Sequence, residues 1–103
     1  MKMSLGLQKA RGVIEDKRRW CKEAYENPIG QVCALGALWK VYPFGADDRD
    51  GLEARWFLED IAEGVFGEGK CVAEINDGRD GHRKALRLYD VAISAAMSNE
   101  AAA

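Results

Sequence analysis

The segment that most constrains this chain is QVCALGALWKVY, residues 31–42, which is nearly continuous apolar sequence. Turn signals bound it, with Pro28 and Gly30 before it and Pro43 after it. A run of about a dozen residues is longer than most buried strands, so it predicts a helix that is buried on all sides. Gly36 within it would let a neighbouring backbone approach closely. The rest of the chain must supply the cover for this central helix.

Amphipathic helices are predicted on both sides of the central helix. Ser4 can cap a first helix running to about Tyr25, because apolar residues recur there at helical intervals. After the loop PFGADDRDG, residues 43–51, a third helix over 54–65 has apolar residues on one face and acidic residues on the other. A last helix is predicted over 82–98.

The remaining segments are short. KCVAEIN, residues 70–76, fits either a helical turn or a brief strand, and irregular or helical structure is favoured. Residues 98–103 are predicted to form a frayed tail. The expected fold is therefore mainly α, a compact single-domain bundle of about four helices formed by the whole chain, 1–103. The predicted core consists of Ile14, Leu35, Leu38, Phe57, Leu58, Ile61, Leu86 and Tyr89.

The net charge of −2 conceals an uneven distribution. Residues 1–46 carry eight Lys/Arg against four Asp/Glu, residues 47–80 carry four against eleven, and residues 81–103 carry three against two. The basic cluster at 17–22 is flanked closely by Glu15, Asp16 and Glu23, so direct nucleic-acid binding is not expected. No run is long and apolar enough for a signal peptide or a membrane span, which predicts a cytoplasmic protein without membrane contact.

The three cysteines, Cys21, Cys33 and Cys71, form no Cys-x-x-Cys pair. Their odd number and wide spacing indicate neither a disulfide framework nor a zinc site, and buried, reduced thiols are expected instead.

The segment AEINDGRDGHRKAL concentrates side chains that could carry chemistry, namely Asn76, Asp77, Asp80 and His82. A calcium loop starting at Asn76 would place Gly78 and Arg87 where oxygen ligands are needed, so no metal is expected here. No cofactor is expected either. A helix start explains the segment more simply, with Asp77 or Asp80 accepting hydrogen bonds from free amides of the last helix.

Four blocks follow one another along the chain: Trp20, GQVCALGAL at 30–38, VAEIND at 72–77 and HRKALRLYDVAI at 82–93. This pattern resembles a family of small uncharacterised bacterial and phage proteins, classed as a domain of unknown function, over residues 10–93. The resemblance rests on Cys33, Gly36 and Ala37, then the Asn-Asp pair, then the histidine. Gly81 departs from the family, which often has Thr before that histidine. The resemblance implies no established activity.

An enzyme is one hypothesis. Cys33 near the start of a helix, with His82 and Asn76 elsewhere, supplies the parts of a cysteine-dependent hydrolase or transferase. Against this, VCALGAL is apolar enough to bury Cys33, and a buried thiol is inert. The alternative is that Asn76, Asp77 and His82 form a structural clamp of hydrogen bonds between helices, with Cys33 in the core.

The favoured hypothesis is a protein-interaction module that acts through its acidic middle, with Asp47, Asp48, Asp50 and Glu53 as partner-binding residues. Such a surface suits a protein partner with a basic groove, for example a nucleic-acid-binding channel. The resemblance to phage proteins favours an inhibitor of a host factor or host-defence complex. The alternative for these acidic residues is a solvated loop and helix cap. Whether Trp39, Phe44 and Trp56 form a contact patch stays open, as does the oligomeric state.

Overall fold

The computed structural model describes residues 1–43 and 48–103. These residues form the helices α1 (Met3–Ile14), α2 (Ala34–Val41), α3 (Arg49–Phe66), α4 (Val72–Asp77) and α5 (Gly81–Ala102). A single turn of 3-10 helix, Lys17–Arg19, follows α1. Within the two described ranges there is no β-strand, and the helices share one compact core, so the predicted mainly α, single-domain fold is confirmed.

The apolar segment around Cys33 forms the central helix, as predicted. Every residue from Ala34 to Leu38 is buried in α2. Helix α1 packs against both α2 and α5, while α3 and α4 pack against α2 and α5 from other sides. A side chain at Gly36 would clash with the backbone carbonyl of Tyr25, which confirms the close approach expected there.

The first helix is much shorter than predicted, because it ends at Ile14 and not near Tyr25. The Asp16 side chain accepts the Arg18 N–H at 2.9 Å, which starts the 3-10 turn in place of further α-helix. Residues 20–33 then run as irregular chain, with Val32 bonded to Cys21 and Arg19 through its backbone. Asp side chains compete for backbone amides in this way, which the apolar periodicity alone does not reveal.

Ser4 does not cap α1, contrary to the prediction, because the cap position is Lys2. Ser4 lies buried inside the first turn, where its N–H and Oγ donate to the Glu100 carboxylate at 3.1 and 2.6 Å. The same contact helps α5 continue to Ala102, past its predicted end and over most of the predicted frayed tail.

The predicted core residues all contact the core cluster. Five of them are fully buried, and three on the edges of α3 and α5 are partly buried: Phe57, Ile61 and Leu86. The ambiguous segment at 70–76 contains α4, so its helical alternative is confirmed.

Candidate functional site

Asn76 lies at the end of α4 and is 1% exposed. Its Oδ1 accepts hydrogen bonds from the Trp20 indole N–H at 2.7 Å and the Ala34 backbone N–H at 3.0 Å. Its Nδ2 donates to the Cys21 carbonyl at 3.1 Å and to Asp77 Oδ1 at 3.0 Å. Both amide hydrogens and both oxygen lone pairs are therefore used inside the protein.

Asp77 and His82 extend this hydrogen-bonded unit to either side. Asp77 Oδ1 also accepts the Glu23 N–H at 2.9 Å. The backbone of Glu23 is in the left-handed region, with a φ of +66°. His82 Nε2 lies 2.6 Å from the Ile14 carbonyl, which can only accept, so Nε2 carries the hydrogen. The His82 ring packs tilted against Trp20, with 5.4 Å between ring centroids.

These residues link the end of α1, the irregular chain at 20–33, α2 and the α4–α5 junction. Tyr89 adds a further link, because its buried hydroxyl donates to the Ala34 carbonyl at 2.6 Å. Asn76, Asp77 and His82 are thus brought together as one unit through Trp20 and Asn76. In the sequence Trp20 stood out only as an apolar position of the first helix and as the first block of the family resemblance, because an indole N–H gives no sign of which distant acceptor it needs.

Asp80 occupies the cap position of α5 with a left-handed backbone, but its side chain makes no capping hydrogen bond. It pairs instead with Arg83 at 3.0 Å. The capping role expected for Asp80 or Asp77 is therefore wrong. Among the described residues, no group of three or more His, Cys, Asp or Glu side chains is arranged to hold a metal ion.

Cys33 and His82 do not meet. Cys33 is the cap residue of α2 and 8% exposed, with its Sγ accepting the Gly36 N–H at 3.3 Å. Burial raises the pKa of this thiol, which disfavours the reactive thiolate. His82 lines a different hollow, together with Lys17 and Trp20. The alternative catalytic set of Cys33, His82 and Asn76 thus lacks a base next to the sulfur.

A groove of about 460 Å³ lies between the irregular chain and helices α2, α3 and α4, and we call it the thiol groove. Its lining surface is mainly apolar, and it is formed by Glu23, Ala24, Tyr25, Cys33, Leu35, Arg55, Glu59, Cys71, Ala73 and Asp77. No single sequence motif marks it, because its walls come from four separate segments.

The acidic residues proposed for partner binding have different local roles. Asp47 lies outside the described residues, as does Phe44. Asp48 caps α3, with its side chain accepting the N–H groups of Asp50 and Gly51. Glu53 pairs with Arg49 at 3.1 Å on the helix surface.

An exposed stripe runs along α3, formed by Arg49, Glu53, Trp56, Asp60 and Glu63. We call it the α3 stripe. Its central residue, Trp56, is 60% exposed. Trp39, by contrast, is half-buried and packs against the core. The four-then-three spacing of the stripe was readable from the sequence, but the sequence does not say which face of the helix is uncovered.

No helix of the described residues combines the length and apolarity that crossing a membrane requires. Residues 4–95 match a family model described as a family of unknown function (DUF6197). The chain therefore belongs to that family. Neither the curated proteins nor the solved structures contain a match.

Proposed function

We propose that this protein, a member of a family without an assigned function, is a binding module that engages a protein partner through the α3 stripe. The observation that carries the proposal is the 60% exposure of Trp56 in the middle of an acidic helix face. Tryptophan is the residue type most enriched among energetic hot spots of interfaces. A large indole exposed to water in the free protein gains most from burial when a partner covers it.

The charges around Trp56 define the chemistry of the partner. Glu53 and Asp60 lie one helical turn to either side of it, and Glu63 lies further along the same face. Asp50 is exposed in the first turn of the same helix. An apolar anchor inside an acidic rim is complementary to a partner surface with an apolar pocket and basic edges. Asp47 and Asp48 precede this face along the chain.

The biological setting belongs to the same proposal. A basic partner surface of this kind occurs in nucleic-acid-binding grooves, which an acidic helix can occupy in place of phosphates. We therefore propose, from the resemblance to phage proteins, that the protein inhibits a host factor or host-defence complex in the cytoplasm. The cysteine-dependent enzyme finds no comparable support, because His82 lines a different hollow from Cys33 and burial raises the pKa of the thiol.

The experiment compares how much of the protein partner is captured by crosslinking to the wild type, to variants of the α3 stripe and to matched control variants. Trp56→Ala and the double variant Glu53→Lys/Asp60→Lys should each lose capture. The control for Trp56 is Ile29→Ala, since Ile29 is 79% exposed and lies in another part of the molecule. The control for the charge reversal is Glu15→Lys/Glu26→Lys, which makes the same change of charge elsewhere. Both controls should capture the partner normally, and added salt should weaken the wild-type complex.

Two results would contradict the proposal. One is normal capture by the Trp56 and double charge variants. The other is loss of the biological effect in a folded Cys33→Ser variant that still captures the partner normally. That result would favour the cysteine-dependent enzyme.

A further inference from the structure

We propose that the thiol groove binds an alkylammonium ligand, either the lysine side chain of a peptide or a free amine of similar length. This site goes beyond the proposed function, because it is a concave pocket on the flank of α3 and does not include Trp56. Four features of the groove carry the inference: its charge, its apolar lining, its aromatic wall and the state of Cys33.

The charge of the groove favours a cation. Three carboxylates line it, from Glu23, Glu59 and Asp77, against the one guanidinium of Arg55. Arg55 Nε lies 3.8 Å from Glu59, which also accepts the Val72 N–H at 2.7 Å, so these two charges largely offset each other. Within the described residues the Glu23 carboxylate has no hydrogen-bond partner. Glu23 and Asp77 are neighbours, joined through the Glu23 N–H, and they leave a net negative mouth.

The remaining lining suits a hydrocarbon stem. Ala24, Leu35 and Ala73 present apolar surface to the groove, and the half-exposed ring of Tyr25 forms part of its wall. Apolar walls cover the methylene groups of a lysine side chain, and an aromatic ring attracts the ammonium through its π face. A small metal cation would find no such match, because it would require oxygen ligands on all sides.

Cys33 adds one weak hydrogen-bond donor to the wall of the groove. It is more than nine-tenths buried and lines the groove, and its sulfur accepts the Gly36 N–H. In the part of the chain that the structure describes, no acceptor takes its S–H hydrogen. Burial raises the pKa of the thiol, so that hydrogen is retained. A peptide carbonyl beside the lysine side chain can accept it, which a free amine cannot do.

The test is a titration of the full chain, followed by NMR shifts of Ala24, Ala73 and Leu35. The probes are acetyl-Gly-Lys-Gly-amide and its norleucine analogue, which lacks the ammonium group, with pentylamine and 1-pentanol as the corresponding free ligands. We expect the charged member of each pair to bind at least about tenfold more tightly than the neutral one. Tighter binding of the peptide than of pentylamine identifies a peptide source, and the reverse order identifies a free amine. Equal binding within each pair, or no shift in the groove, would overturn the proposal.

Two variants locate the effect. Ala73→Leu fills the groove from an exposed position on α4, and Glu23→Gln removes one carboxylate without changing shape. Both should weaken binding of the charged probes, whereas the matched changes Ala101→Leu and Glu68→Gln at exposed positions elsewhere should leave it unchanged. Normal binding by Ala73→Leu would contradict a groove site. Trp56→Ala should bind the probes normally, so failure of the α3 stripe proposal and failure of this one can be distinguished.

Discussion

At the scale of single residues, Asn76 decides how the irregular chain at 20–33 is held. A backbone without regular structure needs side chains to satisfy its buried amides and carbonyls. Asn76 does this for the Ala34 N–H and the Cys21 carbonyl, and it also satisfies the Trp20 indole. Its role as a structural clamp is therefore a prediction about stability that can be measured.

We expect Asn76→Ala to lower the free energy of unfolding by about 3 kcal/mol, because it leaves three buried groups without a partner. His82→Ala should have a smaller effect, on the order of 1–2 kcal/mol, since it breaks one bond to Ile14 and one ring contact. Asn99→Ala, at an exposed position on α5, is the control and should change little. Urea denaturation measures all three, and an Asn76→Ala variant as stable as the control would refute the clamp.

Gly81 occupies a position with no room for a side chain. A Cβ there would clash with the Asn76 carbonyl and press on Trp20. Gly81→Ala should therefore destabilise the protein by about 1–3 kcal/mol through overpacking. Gly12→Ala, in α1 with open space around it, should instead be stabilising by roughly 0.5–1 kcal/mol through helix propensity. Opposite signs in thermal melts are the expected result, and equal signs would contradict this packing.

At the scale of helices, Asp48 fixes the start of α3. Its carboxylate accepts two backbone N–H groups that have no helical partner. Asp48→Ala should cost about 1 kcal/mol, whereas Asp50→Ala, which removes an exposed charge in the first turn, should cost only a few tenths. The comparison is made by chemical denaturation. A loss for Asp48→Ala no larger than that for Asp50→Ala would contradict a stabilising cap at Asp48.

The contact between α1 and α5 gives a pH dependence with a definite sign. Ser4 donates twice to Glu100, and these hydrogen bonds hold the pKa of Glu100 below its ordinary value. The stability that comes from this lowered pKa is present above the ordinary value of 4.5 and is lost as the pH falls through the lowered one. The melting-temperature difference between wild type and Glu100→Gln should be present near about pH 6 and shrink toward about pH 3. A difference independent of pH would contradict the contact.

Helices with a regular apolar period could be predicted from the sequence, and those without it could not. The central helix and α3 were both found, because burial on one or all sides leaves a strong pattern. The start of α3 was wrong, since the helix begins at Arg49, inside the predicted loop 43–51 and five residues before its predicted start at 54. Residues 15–25 were predicted to continue the first helix, but apart from one 3-10 turn they are irregular. Their shape depends on Asp16 capping nearby and on Asn76 bonding from far along the chain, and neither contact leaves a periodic signal.

The candidate site was predictable only in part, for the same reason. The contacts of Asn76, Asp77 and His82 follow residues that the sequence had singled out. The thiol groove could not be predicted from the sequence, since Glu23, Cys33, Arg55 and Ala73 are brought together only by the fold. Trp56 was visible as a residue, but its exposure depends on which face of α3 the other helices leave uncovered.

At the scale of the whole molecule, the three tryptophans occupy three different environments. Trp20 is buried and bonded to Asn76, Trp39 is half-buried, and Trp56 is open to solvent on the acidic α3 stripe. Trp56 offers a partner by far the largest exposed indole surface of the three. Trp20 and Trp39 therefore serve as internal controls when Trp56 is used to locate an interface.

The central claim is that a partner covers the α3 stripe, and ¹⁹F NMR of protein labelled with 5-fluorotryptophan tests it most directly. Trp20→Phe, Trp39→Phe and Trp56→Phe assign the three resonances. When the captured partner is added, the Trp56 resonance should shift or broaden, while the resonance of buried Trp20 stays in place. A complex that forms with the Trp56 resonance unchanged would contradict binding through the α3 stripe.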